Sequence, residues 1–272
     1  MTLTSVQSLA IAGIVGLLSG THTAIWGMYK DAVHEGFTFR RFTRSMVIGA
    51  GVAVLIQSVL HLALPAVHAL AVLFGLAYAA KRGIVEVWKT FLRDEDQSKY
   101  FIPMQFSVRG IPVASRAARM SLGAAYVATI AGCLVAIARL DLSATLSPQL
   151  RAALAGLIVG VIVAVGGGWK DAPKEGFDAM KFLRSPAISL FYAILLSRLT
   201  ESSLIIAVAA IGYERATAET YKTFCFPSKP RGKFTGKPVL HPQMLQRRIY
   251  FVPAYVAISL AAVVSLSLAA AP

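Results

Sequence analysis

Apolar residues run along this chain in blocks of membrane length, divided by short segments dense in charge. A helix needs about 20 apolar residues to cross the hydrocarbon core of a bilayer. On that measure the pattern predicts eight helical spans: Val6–Tyr29, Met46–Leu64, Ala66–Ala80 running on to Phe91, Ala117–Ala138, Ala152–Trp169, Pro186–Leu199, Ser202–Tyr213 running on to Phe224, and Ile249–Ala270. The expected fold is all-α, a polytopic membrane helical bundle. No basic segment precedes the first block and no small-residue cleavage site follows it, so it reads as a span and not as a removed signal peptide. Ser185–Tyr213 is ambiguous, because Arg198 and Glu201 lie midway along it. A hairpin is expected there, since a single tilted helix would carry the basic loop that follows to the opposite side of the membrane.

The charged segments repeat. KDAVHEGFTFRRFTRS (Lys30–Ser45) and KDAPKEGFDAMKFLRS (Lys170–Ser185) share Lys30/Lys170, Asp31/Asp171, Glu35/Glu175, Gly36/Gly176, Phe42/Phe182 and Arg44/Arg184 among their identities. RGIVEVWKTF (Arg82–Phe91) is answered by RATAETYKTF (Arg215–Phe224), with Arg82/Arg215, Glu86/Glu219 and Lys89/Lys222 identical and Trp88 facing Tyr221. Self-similarity at this scale marks a duplicated unit. Residues 1–141 and 142–272 are therefore read as two four-helix repeats, parallel because each has an even number of spans. Gly16 and Gly20 match Gly156 and Gly160. Small-x3-small spacing lets helix backbones approach closely in lipid, and the expectation is that spans one and five meet near the twofold axis.

Composition agrees with a membrane chain: 56% of the 272 residues are hydrophobic and the mean hydropathy is +0.64. The formal net charge of +14 could suggest nucleic acid, but positive charge also collects in cytoplasmic loops. Of the 27 Lys and Arg residues, all but Arg139, Arg151 and Arg198 fall in the first, third, fifth and seventh loops. Those loops are placed in the cytoplasm, both termini outside, and the protein in a bacterial inner membrane, with the lipid bilayer as partner and no nucleic acid. Cys133 and Cys225 lie in an apolar run and a basic loop, and are not expected to pair. No phosphate loop, HExxH pair or GxSxG elbow is present.

The duplicated charges are the candidate site. Asp31 and Glu35 are four apart, on one face at the inner end of the first span, as are Asp171 and Glu175 in the second copy. Acids are disfavoured at a helix C-terminus, so cations are expected beside them. Arg44, Arg82 and Lys89, with Arg184, Arg215 and Lys222 as their counterparts, are the candidates. Together with Glu86 and Glu219 these twelve residues form either an ion-pair lattice joining helix ends or a pocket for an anionic ligand. In the pocket reading Arg and Lys grip phosphate oxygens, and Asp31, Glu35, Asp171 and Glu175 could hold Mg2+. Trp26, Tyr29, Trp88, Trp169 and Tyr221 read as interface anchors, and His34 and His241 as solvated. The basic segment Lys229–Lys237 reads as topology-setting charge that can also attract anionic headgroups. His22, Gln57 and His61 are ranked second, as polar groups within spans that lack a matching residue in the other copy.

The functional expectation is an integral membrane protein that binds or processes a phosphate-bearing lipid or similar anionic amphiphile at its cytoplasmic edge. The alternatives are a transporter or flippase with two rocking halves, and a non-catalytic subunit or scaffold. Neither the substrate nor the oligomeric state is legible.

Overall fold

The computed structural model describes residues 4–225 and 232–270. It is all-α and 77% helical. The long helices are α1 (Ser5–Glu35), α2 (Phe39–Leu60), α3 (Val67–Val87), α4 (Arg116–Arg139), α5 (Pro148–Glu175), α6 (Ala179–Leu196), α7 (Ser203–Phe224) and α8 (Val252–Ala270). A π-helical turn, Trp88–Leu92, extends α3. Strands β1 (Ser107–Val108) and β2 (Ile111–Pro112) form a small antiparallel hairpin in the loop after α3, a feature outside the all-helical expectation.

Local chemistry sets many of the helix ends. Thr4 and Gln7 make a reciprocal capping box at the start of α1, and Ser147, Asp178 and Ser202 accept backbone N–H bonds at the starts of α5, α6 and α7. Each satisfies a donor that the first turn leaves free. Helices α1 and α5 end at the matched glycines Gly36 and Gly176, with φ of 74° and 80°. A side chain would strain the chain at both positions.

Six segments are long and apolar enough to cross a membrane: α1, α2, Arg116–Leu142, α5, α6 and Met244–Ala270. They expose large apolar side chains outward, among them Val47, Leu55, Val135 and Leu260. Such a surface suits lipid, not water. Helices α3 and α7 have the length but not the composition, since their inner portions carry Lys81, Arg82 and Glu86, and Glu214, Arg215, Glu219 and Lys222. Of the eight expected spans, six are apolar helices of membrane length, and they surround α3 and α7 with their charged inner portions. Shielding explains the difference: most of α3 from Ala69 to Ala79 is buried.

Those inner helices pack with their backbones touching. A Cβ on Gly212 would lie 2.0 Å from the Gly75 carbonyl oxygen, and Tyr213 Oη donates to the Ala71 carbonyl at 2.9 Å. The central contact is thus α3 on α7, and the expected α1–α5 contact is corrected. Gly16 and Gly20 instead press α1 on α2, at Gly49, Ala53 and Ser45, and Gly156 and Gly160 press α5 on α6, at Ala193, Ser189 and Pro186. The spacing correctly marks close approach, but the partner is the next helix in the chain.

The ambiguous segment is a hairpin, with α6 ending at Leu196 and α7 beginning at Ser203. The Asp141 carboxylate accepts the Ser203 N–H at 3.1 Å from each oxygen, where the positive end of the α7 dipole favours an anion. Arg198 closes the same end by donating to the Ala270 carbonyl.

Candidate functional site

The duplicated charges gather at the opposite end of the bundle, where α3 and α7 leave the apolar layer beside the ends of α1 and α5. In the first half Arg82 donates to Glu86 at 2.7 Å, one turn along α3, and its guanidinium lies 5.1 Å over the Trp26 ring. Arg44 and Arg93 lie over Trp88 at 5.5 and 5.3 Å. Such cation–π contacts contribute about 0.5–2 kcal/mol according to exposure. Lys233 bonds Asp31 at 2.9 Å and Glu35 at 3.3 Å. Glu35 also accepts from Arg41 at 3.1 Å and from the Tyr100 hydroxyl at 3.2 Å.

The second half uses the same positions differently. Lys181, matched to Arg41 in sequence, neutralises both Asp171 and Glu175. Arg184 lies 5.7 Å over Tyr221, the counterpart of Arg44 over Trp88. Arg215 does not repeat the Arg82–Glu86 bridge; it pairs with its neighbour Glu214, a fully buried acid that also accepts from Ser185 Oγ at 2.7 Å. Glu219 faces Lys30 of α1 at 3.8 Å, linking the halves.

All twelve candidates therefore lie at one end of the bundle, but the cations expected beside the acids are corrected. Asp31 and Glu35 are held by Lys233 and Arg41, and Asp171 and Glu175 by Lys181. Arg44 and Arg184 spend their charge on aromatic faces. Among the described residues no three His, Cys, Asp or Glu side chains come together in a metal-holding group. Each of the four acids is paired with an ammonium or guanidinium group, while Asp31 Oδ1 has no hydrogen-bond partner among the described residues.

Lys89 and Lys222 stand apart. Among the described residues neither has a hydrogen-bond or ion-pair partner, although they hold matched positions at the end of the charged layer. Burial pushes the Lys89 ammonium down to about 8; Glu86 opposes that shift, while Arg82 and Lys233 reinforce it. Lys233 moves the other way: burial disfavours its charge, but Asp31 and Glu35 hold it above the ordinary lysine range.

Several participants escaped the sequence reading. Lys233 comes from a loop about 200 residues beyond its partners, and nothing local announces it. Of its basic segment, Lys229, Pro230 and Arg231 lie outside the described residues. The Arg41/Lys181 match was a usable signal, hidden because the residues differ. Lys81 and Glu214, at the 133-residue offset, are opposite charges at one position, and both are buried. Trp26 is no interface anchor: its indole N–H donates to Tyr78 Oη at 2.9 Å inside the bundle. His34 is not solvated either; it stacks on Phe234 and bonds the Pro238 carbonyl. His22 bonds Tyr78 and Ser259 in the interior.

A cleft of about 50 Å3 opens between α5, α6 and α7, bordered by Gly167, Gly168, Phe182, Arg184, Arg215 and Lys222. No protein-family model, curated protein or solved structure matches this chain.

Proposed function

We propose that this is an integral membrane protein of two parallel four-helix repeats, in which α3 and α7 complete eight spans, and that its charged end binds the phosphate head of an anionic amphiphile at the cytoplasmic face of a bacterial inner membrane. The observation that carries this reading is the pair Lys89 and Lys222. The acids of the cluster are already neutralised by Lys233, Arg41, Lys181, Arg82, Arg215 and Lys30. Two matched lysines are left over. Both are half-buried, nearby acids only partly offset the cost of burying their charge, and a ligand phosphate would supply the missing partner. The six apolar helices support a position for this cation excess at the edge of the hydrocarbon layer, where lipid headgroups lie. The excess of Lys and Arg at this end supports a cytoplasmic orientation by the positive-inside rule.

The test is a binding titration of the full chain in mixed micelles, comparing phosphatidic acid with phosphatidylcholine. Wild type should prefer phosphatidic acid, and the Lys89→Gln/Lys222→Gln double variant should lose about tenfold or more in affinity, about 1.4 kcal/mol. Equal binding by wild type and double variant would remove the head-group role from these lysines.

A further inference from the structure

The two halves differ most at one three-residue stretch. At the 140-residue offset, Trp26-Gly27-Met28 of α1 faces Gly166-Gly167-Gly168 of α5. In the first half these side chains fill space. Trp26 is 7% exposed, hydrogen-bonded to Tyr78 and covered by Arg82, and Met28 packs among Ala32, Val33 and Met244 against Phe42. In the second half the same backbone carries no side chains. A Cβ added to Gly166 or Gly167 would meet nothing within 4 Å, and one on Gly168 only Phe182, at 3.9 Å.

These glycines are not packing glycines. Gly156 and Gly160, one turn and more earlier on α5, are pressed against α6 with less than 3 Å to spare for a Cβ. From Gly166 onward a Cβ would meet open space, and the cleft lies against Gly167 and Gly168. One water needs about 10–15 Å3 of such volume, so about 50 Å3 admits a group larger than a single water.

The cleft has two kinds of wall. Val163, Ala164 and Phe182 make its apolar side, toward the membrane layer, and Arg184, Arg215 and Lys222 make its cationic rim. Asp171 and Asp178 also border it; Lys181 neutralises the first at 3.2 Å, and the second accepts the Lys181 backbone N–H as the cap of α6. Arg184 Nε is enclosed with no hydrogen-bond partner. Arg215 has no indole to cover it where Arg82 has Trp26, and is drawn to Glu214 instead.

We infer that the ligand site lies in the second half alone: the glycine-floored cleft takes the phosphate head and first apolar carbons of an amphiphile, and the equivalent site in the first half is plugged by the chain's own Trp26 and Met28. This rests on the head-group reading above and gives it an address. The phosphate meets Arg184, Arg215 and Lys222, and the apolar carbons replace the missing indole and thioether against Val163, Ala164 and Phe182. Lys89 acts at longer range, through the charge shared between α3 and α7.

The experiment rebuilds the plug. Gly166→Trp and Gly168→Met restore what the first half tolerates, and Gly168→Met alone serves if the indole disturbs folding. Phosphatidic acid, phosphatidylcholine and inorganic phosphate are titrated against the full chain in mixed micelles. Wild type should bind phosphatidic acid best, inorganic phosphate should compete weakly, and each plugged variant should lose about tenfold or more in affinity with its unfolding temperature unchanged or raised. Inorganic phosphate binding as tightly as the lipid would overturn the amphiphile assignment. Plugged variants that bind like wild type, while the Lys89→Gln/Lys222→Gln variant loses binding, would overturn the address and leave the head-group reading standing. Wild type that does not distinguish phosphatidic acid from phosphatidylcholine would overturn both.

Discussion

The first half of this chain is closed over its charged end and the second is open. In the first, Lys233 reaches across from the loop after α7 to bind Asp31 and Glu35, its ammonium lies over the rings of Tyr100 and Phe234, and Trp26 fills the wedge beneath Arg82. In the second, Asp171 and Glu175 find their cation within their own hairpin, at Lys181, and three glycines leave the wedge empty. The covering loops also cross over. The loop after α3 reaches the second half, where Ser107 accepts from the Trp169 indole, and the loop after α7 covers the first. The same charge pattern is thus met differently: in one copy by a distant loop and an indole, in the other by a lysine of its own hairpin beside an open cleft.

The sharpest way to test that division is the position where the halves carry opposite charge. Glu214 is buried, bridged to Arg215 and bonded to Ser185. Lys81, at the matched position, is 1% exposed and has no hydrogen-bond or ion-pair partner among the described residues. Breaking a buried pair strands its partner and costs about 3–5 kcal/mol, so Glu214→Ala should lower the unfolding temperature markedly. Lys81→Met removes an enclosed cation that nothing answers and should be neutral or stabilising. If both variants lose stability equally, the halves do not divide the work in this way.

Close packing is the next largest effect, and here the halves should agree. A Cβ at Gly16 would fall 2.2 Å from the Gly49 carbonyl oxygen, and one at Gly160 would fall 2.5 Å from Pro186 Cα. Gly16→Leu and Gly160→Leu should each cost about 1–3 kcal/mol by overpacking. Gly13→Leu, whose new Cβ meets only Val54 at 3.6 Å, should cost less. Thermal unfolding in detergent separates the three. Equal losses would mean that these glycines serve propensity and not contact.

How much of this the sequence disclosed depends on the range of the interaction. Apolar blocks report helices directly, because burial in lipid acts residue by residue along one segment, and α1, α2, α4, α5, α6 and α8 follow from them. The Arg82–Glu86 bridge was legible for the same reason, its two residues being one helical turn apart. What was lost is what depends on which helices meet. Gly16 and Gly160 announced a close approach without naming α2 and α6. Asp31 and Glu35 announced a need for cations without naming Lys233. The space beside Gly166–Gly168 is legible only against Trp26 and Met28, whose side chains fill the matched positions.

The smallest expected effect concerns Lys89, whose ammonium is enclosed by Glu86, Arg82, Lys233 and Asp31 and pushed down to about 8, chiefly by burial. The sign follows from comparing folded and unfolded chains. An unfolded lysine keeps its proton up to about 10.4. Below pH 8 both states are protonated, and the fold carries the full cost of enclosing the charge. As the pH climbs from about 8 toward 10.4 the folded form sheds the proton first, so Lys89 becomes less destabilising. Wild type should therefore gain, relative to Lys89→Gln, on the order of 1 kcal/mol across that window, read as the difference between their unfolding midpoints at each pH. Anion binding should run the other way, weakening as the pH passes 8 and the ammonium is lost. A bound phosphate restores the counter-charge, so with phosphatidic acid present the stability gain should move to higher pH. A pH profile that is the same with and without the lipid would separate Lys89 from the ligand, leaving it a cation of the closed half only.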